Sequence, residues 1–412
     1  FSHIVLRSVL DKYQYLSKQD RAFMTRLVDG TIEYMLQLDY IIDSFSKTKV
    51  RKMKPFIRNL LRMSVYQIKY MDAVPDSAVC NEAVKLAKRH KFAQLSGFVN
   101  GVLRNIARNI DSVQFDTLSI RYSMPQWIVD RFVAAYGEKK AEEIFKAFHS
   151  KSTISIRTNL TRCTPDELRV MLEAEGVTVT AVDELNYAFV ISGFDYLNGL
   201  QSFRDGLFYV QDISSMLVAQ TAAPKKGDYV IDVCAAPGGK STHIAELLQG
   251  SGHVLARDLT DNKVDMIEEN IERHGLNNMS AEVWDATVFD ADSAGKADIL
   301  ICDLPCSGLG VLGRKKDIRY KMTPESVDEL AALQRQILDT VHTYVKPNGV
   351  LVYSTCTIDE AENEDNVRWF IEKHPEFELD KNFAEGTGMK QILPGEHGSD
   401  GFFIARFIKS KL

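Results

Sequence analysis

The chain has 412 residues, 45% of them hydrophobic and 26% charged, with a formal net charge of −6, which is enough for two or three domains with cores of their own. No apolar run approaches the ~18–20 residues of a membrane-spanning helix, and no basic stretch precedes an apolar one at the start, so neither membrane insertion nor export is expected. Six cysteines without paired spacing point to reduced thiols and a cytoplasmic setting rather than a disulfide scaffold.

The chain opens on Phe1 rather than Met, so an upstream start is expected. Residues 1–112 read as helix after helix, with apolar positions at helical spacing in Phe23-Leu27-Val28, Ile57-Leu60-Leu61-Val65 and Val99-Leu103-Ile106. Residues 1–150 hold 24 Lys+Arg against 15 Asp+Glu, and residues 47–108 hold 14 against 3, although the whole chain is acidic. Lys54, Arg58 and Arg62 follow one another at i, i+4, i+8 on one helix face, and Arg104 and Arg108 repeat the spacing. One such pair is ordinarily a solvated face. The concentration of positive charge favours a surface for RNA or DNA. Residues 113–150 continue helical, as a connector.

Residues 151–222 change to alternation, in Ile154-Ser-Ile-Arg157, Val177-Thr-Val-Thr180 and Ala188-Phe-Val-Ile191, with one helix announced by Thr164-Pro-Asp-Glu167. That tetrad is an N-cap, a first-turn proline and a capping box, so a small α+β subdomain is expected. From 223 to 412 strand and helix patterns alternate, which implies a mostly parallel, doubly wound α/β sheet.

Three strand exits of that sheet carry chemistry, and ligands of such sheets sit at the carboxyl ends of strands. The first is Tyr229-Val-Ile-Asp-Val-Cys234, followed by Ala235, Ala236, Pro237, Gly238, Gly239 and Lys240. Small residues there let backbone approach a ligand. The next strand ends in Asp258, 19 residues after Gly239, where an acid accepts from ribose hydroxyls. A third ends near Asp285, beside an adenine edge. A dinucleotide fingerprint is missing. Gly239-Lys240-Ser241 matches the end of a P-loop, but Cys234 stands where its first glycine belongs. A turn without a phosphate nest, followed by a ribose acid, suits an adenosine ligand without phosphate, namely S-adenosylmethionine; a P-loop ATPase is the competing reading.

The other two exits hold Cys306, in Asp303-Leu-Pro-Cys-Ser-Gly308, and Cys356, in Tyr353-Ser-Thr-Cys-Thr357. Cys80, Cys163, Cys234 and Cys302 read as small buried hydrophobes, and no Cys/His spacing suggests a metal. Carbon 5 of a pyrimidine becomes nucleophilic once a thiolate adds at carbon 6. A carboxyl group such as Asp303 offsets charge at nitrogen 3, and a base removes the carbon-5 proton. Two thiols, one acid and a methyl donor in one site therefore point to cytosine methylation.

These motifs, with Tyr209-Val-Gln-Asp-Ile-Ser-Ser215 and Gly401-Phe-Phe-Ile-Ala405, resemble those of RNA carbon-5 cytosine methyltransferases, and the front resembles the NusB-like RNA-binding domain. The combination is similar to the bacterial enzymes acting on 16S ribosomal RNA. The resemblance implies a Rossmann-like S-adenosylmethionine-dependent domain behind an all-α NusB-like domain and a small α+β subdomain. It implies Cys356 as nucleophile, Cys306 as the releasing group and Asp303 against the cytosine. The glycine turn, Lys240, Asp258, Lys263, Asp285 and Asp303 are expected around the cofactor, with no metal. Lys54, Arg58, Arg62, Arg104, Arg314, Lys315 and Arg319 are expected to face RNA. The implied substrate is small-subunit ribosomal RNA, free of protein or early in assembly, bound by a monomer with no obligate protein partner and no membrane. A tRNA methyltransferase and a non-catalytic NusB-like RNA-binding factor are the alternatives. Leu304 departs from the Ala or Pro more usual there, and Arg257 has no evident role.

Overall fold

The periodic apolar residues of the front half close into a helical unit. In the computed structural model, which describes residues 2–13, 15–150 and 153–411, this unit runs to His149 and takes in Arg314–Lys321 from far along the chain. Helices Met35–Phe45, Pro55–Tyr70, Asp76–Arg89 and Ser96–Asn109 bury Leu38, Ile57, Leu61, Val65, Val99 and Leu103 in one core. Residues expected to act as a connector belong to the same unit: Phe132 and Phe145, from helices Gln126–Tyr136 and Glu138–Phe148, stack at 5.8 Å.

The segment Arg314–Lys321 is tied down by polar contacts inside this unit. Lys316 Nζ pairs with Glu33, and the Tyr320 hydroxyl lies 3.2 Å from the Glu33 carbonyl and 3.1 Å from Ser123 Oγ. Arg319 is 0% exposed, and its Nη1 donates to the Ser123 carbonyl. It is therefore a core residue and cannot face RNA. Arg62 is also committed: Nε and Nη2 each donate to Asp39 at 2.6 Å.

The second unit begins with a four-stranded antiparallel sheet: β1 (Ile154–Thr158), β2 (Thr178–Val182), β3 (Leu185–Ser192) and β4 (Phe208–Val210), in the order β2-β3-β1-β4. Thr164 and Glu167 form the expected capping box on helix Pro165–Ala174. Helix Ile213–Ala222 packs Val218, Ala219 and Ala222 into the following sheet, so the last stretch of the expected subdomain belongs to the core of that larger sheet. Arg157 fastens the two layers. It is fully buried, donates to Gln211 Oε1 at 2.9 Å and Thr242 Oγ1 at 3.1 Å, and pairs with Glu246.

The larger sheet contains β5 (Tyr229–Asp232), β6 (His253–Asp258), β7 (Met279–Val283), β8 (Ala297–Asp303), β9 (Val345–Thr355), β10 (Phe377–Leu379), β11 (Met389–Ile392) and β12 (Phe402–Lys409). Their order is β10-β12-β9-β8-β5-β6-β7, with β11 also on β12. Strands β9, β8, β5, β6 and β7 run parallel, whereas β10, β11 and β12 pair antiparallel. The run of parallel strands thus ends at β9, and an antiparallel extension completes the sheet. Among the described residues no helix is long and apolar enough to cross a membrane.

Candidate active site

Parallel register brings the two thiols together. Strands β8 and β9 are aligned so that Asp303 sits opposite Ser354. Cys306 and Cys356 therefore leave the sheet at the same end, with their sulfurs 3.2 Å apart. A backbone clasp fixes this approach. The Gly310 N–H donates to the Cys356 carbonyl at 3.1 Å, and the Gly401 N–H donates to the Gly310 carbonyl at 2.9 Å. A Cβ on Gly310 would lie 2.3 Å from the Gly401 oxygen, which no side chain tolerates.

Beside the thiols, Lys240 Nζ donates to Asp303 Oδ2 at 2.6 Å and Ser354 Oγ to Asp303 Oδ1 at 2.8 Å. Burial alone would push the Lys240 ammonium down, but the Asp303 charge and hydrogen bond, then Asp232 and Cys356, raise it. Cys306 is held well above the usual thiol range, first by its hydrogen bond to Cys356 and then by burial. Burial likewise raises the thiols of Cys80, Cys163, Cys234 and Cys302; Cys80, Cys163 and Cys302 are buried and Cys234 half-buried.

The glycine turn follows β5. Gly238 has φ +101°, which favours glycine, and a Cβ on Gly239 would lie 2.9 Å from the Tyr209 ring. Beneath it Asp232 is fully buried and accepts from Ser241 Oγ at 2.5 Å. Burial, opposed by that bond and reinforced by Asp303, pushes its carboxyl up to about 7. Asp258 ends β6, accepting from the Ala236 N–H at 2.9 Å on Oδ2 and from the Leu259 N–H and Lys263 Nζ at 2.8 Å on Oδ1. With one donor on Oδ2 and two lone pairs per oxygen, it can still accept a ribose hydroxyl. Small residues, a left-handed glycine and an acid at the second strand end fit an adenosine-type cofactor. The Trp284 N–H donates to the Asp258 carbonyl at 2.9 Å, placing the β7 exit alongside. Asp285, two residues past that strand, is exposed and caps its own turn through Thr287. Nothing among the described residues bonds it to the glycine turn.

Several polar residues here were not singled out by sequence reading. Ser354 orients Asp303, and Ser307, Gln334 and Glu362 form a buried network behind Cys306. Arg257, without a role in the sequence, pairs at 2.6 Å with both Glu282 and Asp290 and lies 5.1 Å from the Trp284 ring centroid; it is a structural cation of the sheet edge. On the helical unit Lys54 and Arg104 are exposed, Arg58 is half-buried, and Arg104 Nε donates to Asn100 at 3.0 Å. Arg314 is half-buried and Lys315 exposed.

Residues 219–408 match the family described as 16S rRNA methyltransferase RsmB/F, residues 2–108 the NusB family, and residues 124–194 an RsmF/B-like methyltransferase ferredoxin-like domain. Over 427 residues the chain is 38% identical to the "Probable ribosomal RNA small subunit methyltransferase B" of Bacillus subtilis (strain 168), covering 99% of this chain and 95% of that one. It is 32% identical over 429 residues to the protein of the same description from Synechocystis sp. (strain ATCC 27184 / PCC 6803 / Kazusa), covering 100% and 96%. Among solved structures it is similar to PH0851, with TM-score 0.84, 26% identity and coverage of 98% and 93%. It is also similar to NSun6 from Pyrococcus horikoshii with SFG, with TM-score 0.63, 25% identity and coverage of 70% and 99%.

Proposed function

The chain belongs to the 16S rRNA methyltransferase RsmB/F family, and from that premise we propose that it methylates carbon 5 of a cytosine in 16S ribosomal RNA, with Cys356 as nucleophile and Cys306 as releasing group. S-adenosylmethionine is its cofactor, held by the glycine turn, Asp258 and Lys263, with Asp285 on the adenine side; when bound it supplies an electrophilic methyl group. The observation that carries the reading is the pair of sulfurs 3.2 Å apart beside the Lys240–Asp303 ion pair.

The chemistry follows from where the protons sit. Cys356 adds as thiolate to carbon 6, and the added electron pair is held over carbon 5 and nitrogen 3, the nitrogen drawing a proton through Asp303 from Lys240 Nζ and returning it on methyl transfer. Carbon 5 then takes the methyl group. The strongest cause of the raised Cys306 pKa is its hydrogen bond to Cys356. Once Cys356 is bonded to carbon that hydrogen bond no longer holds the proton on Cys306, and Cys306 acts as the base after giving this proton to solvent. It takes the carbon-5 proton, the carbon 5–carbon 6 double bond re-forms, and Cys356 leaves as thiolate.

A stacked, paired base cannot reach these sulfurs, so the target nucleotide is single-stranded or extruded, on RNA free of protein or early in assembly. The protein acts as a monomer, and Lys54, Arg58, Arg104 and Lys315 contribute phosphate contacts rather than sequence reading. The test is methyl transfer to protein-free 16S rRNA and to tRNA, followed by nucleoside analysis. The expected product is 5-methylcytidine at one site in 16S rRNA; a different methylated nucleoside, or product in tRNA alone, would contradict the assignment.

A further inference from the structure

A second carboxylate stands behind Cys306 and takes no part in the scheme above. Glu362 follows Cys356 by six residues, between β9 and the helix Glu364–Lys373, and is fully buried. Its Oε1 accepts from the Ser307 backbone N–H and from Gln334 Nε2, each at 2.9 Å, and its Oε2 accepts from the Ser307 hydroxyl. Gln334 Nε2 also donates to the Pro305 carbonyl at 2.9 Å. The residues on either side of Cys306 are thus both tied to one buried group. Ser307 Oγ also lies 2.9 Å from Thr357 Oγ1, so the network links the loop of one thiol to the strand exit of the other.

All the donors that meet this carboxylate are neutral. Burying a carboxylate without a cation is costly, and an amide would fill the same space with less penalty. Burial raises the Glu362 carboxyl above its ordinary range, against the lowering hydrogen bonds from Ser307 and Gln334, and an acid held there where an amide would fit points to a task beyond filling space. Resting on the reading of Cys306 as releasing group, we propose that Glu362 is a positioning residue for the release step, holding Cys306 against Cys356 and keeping a negative charge behind the thiol that receives the carbon-5 proton. After the Cys356 hydrogen bond, burial and the Cys356 charge, Glu362 is a further cause raising the Cys306 pKa.

The test compares wild type, Cys306→Ala, Glu362→Gln and the milder Ser307→Ala as full chains with 16S rRNA and S-adenosylmethionine. Covalent RNA–protein adduct is read on a denaturing gel, together with kcat, KM for S-adenosylmethionine and thermal stability. Loss of a well-placed base slows a step by about 100-fold or more, and loss of its support by less. Glu362→Gln is therefore expected to accumulate adduct as Cys306→Ala does, with kcat down roughly 10-fold or more and KM unchanged. Ser307→Ala should move the same way by a smaller factor. Adduct with Cys306→Ala but wild-type adduct and kcat with the other two variants would overturn the role of Glu362 alone. No adduct with Cys306→Ala would overturn the assignment of Cys306 and the proposal with it. Parallel loss of adduct, kcat and thermal stability in both network variants would reduce Glu362 to a fold residue and also overturn the proposal.

Discussion

Single side chains in this site act through the protons they keep. Asp232 illustrates this with a sign that can be measured. Burial raises its carboxyl to about 7, so the folded protein binds that proton more tightly than the unfolded chain. Its contribution to stability is full below about pH 4 and is lost as pH rises to about 7, by an amount on the order of a few kcal/mol. Asp232→Asn keeps an acceptor for Ser241 and removes the titration. Urea midpoints at pH 5 and pH 8 should diverge between wild type and variant, the variant gaining at the higher pH; equal changes would mean that Asp232 stays ionised throughout. Cys306 and Cys356 were legible in the sequence because each lies within a few residues of a strand end. Glu362 was not, because its role depends on the chain folding back under Cys306 through contacts with Gln334 and Ser307. Arg257 escaped for the same reason, since its partners Glu282 and Asp290 lie on another strand and beyond it.

At the scale of elements, the parallel exits of β8 and β9 and the Gly310–Gly401 clasp set the distance between the thiols. Gly310→Ala places a methyl group against backbone rather than against a movable side chain. It is expected to cost about 1–3 kcal/mol and, introduced into Cys306→Ala, to abolish its adduct even where the protein still folds, measured by thermal denaturation and denaturing gels. Unchanged adduct yield would mean that the clasp does not set the thiol geometry. Arg157 joins β1 to the helix Gly239–Leu247 through a buried ion pair, and breaking such a pair on one side costs ~3–5 kcal/mol. Arg157→Met should lower the unfolding midpoint accordingly, and an unchanged midpoint would refute the fastening role. The alternating pattern after 223 revealed the parallel strands, because buried strands and amphipathic helices have distinct periods. It did not reveal the antiparallel β10, β11 and β12, because strand direction leaves no trace in periodicity.

For the whole molecule, charge is divided between a basic helical unit and an acidic remainder. Composition made that division visible, but not which cations are free to meet RNA. Arg319 is enclosed by the helical unit and Arg62 is paired with Asp39, outcomes set by packing between distant segments. Replacing exposed Lys54 and Arg104 together should weaken RNA binding and flatten the log-log salt slope by about 1.4, the value for two single-strand phosphate contacts, with cofactor affinity unchanged. An unaltered slope across a salt titration would remove this face from the RNA surface. Arg62→Ala should instead lower stability. Covalent capture tests the division of labour between the thiols most directly. Wild type, Cys306→Ala and Cys356→Ala are each incubated with 16S rRNA and S-adenosylmethionine and run on a denaturing gel. Attack by Cys356 and release through Cys306 predict a persistent RNA–protein adduct with Cys306→Ala and none with Cys356→Ala; the opposite pattern would contradict both roles.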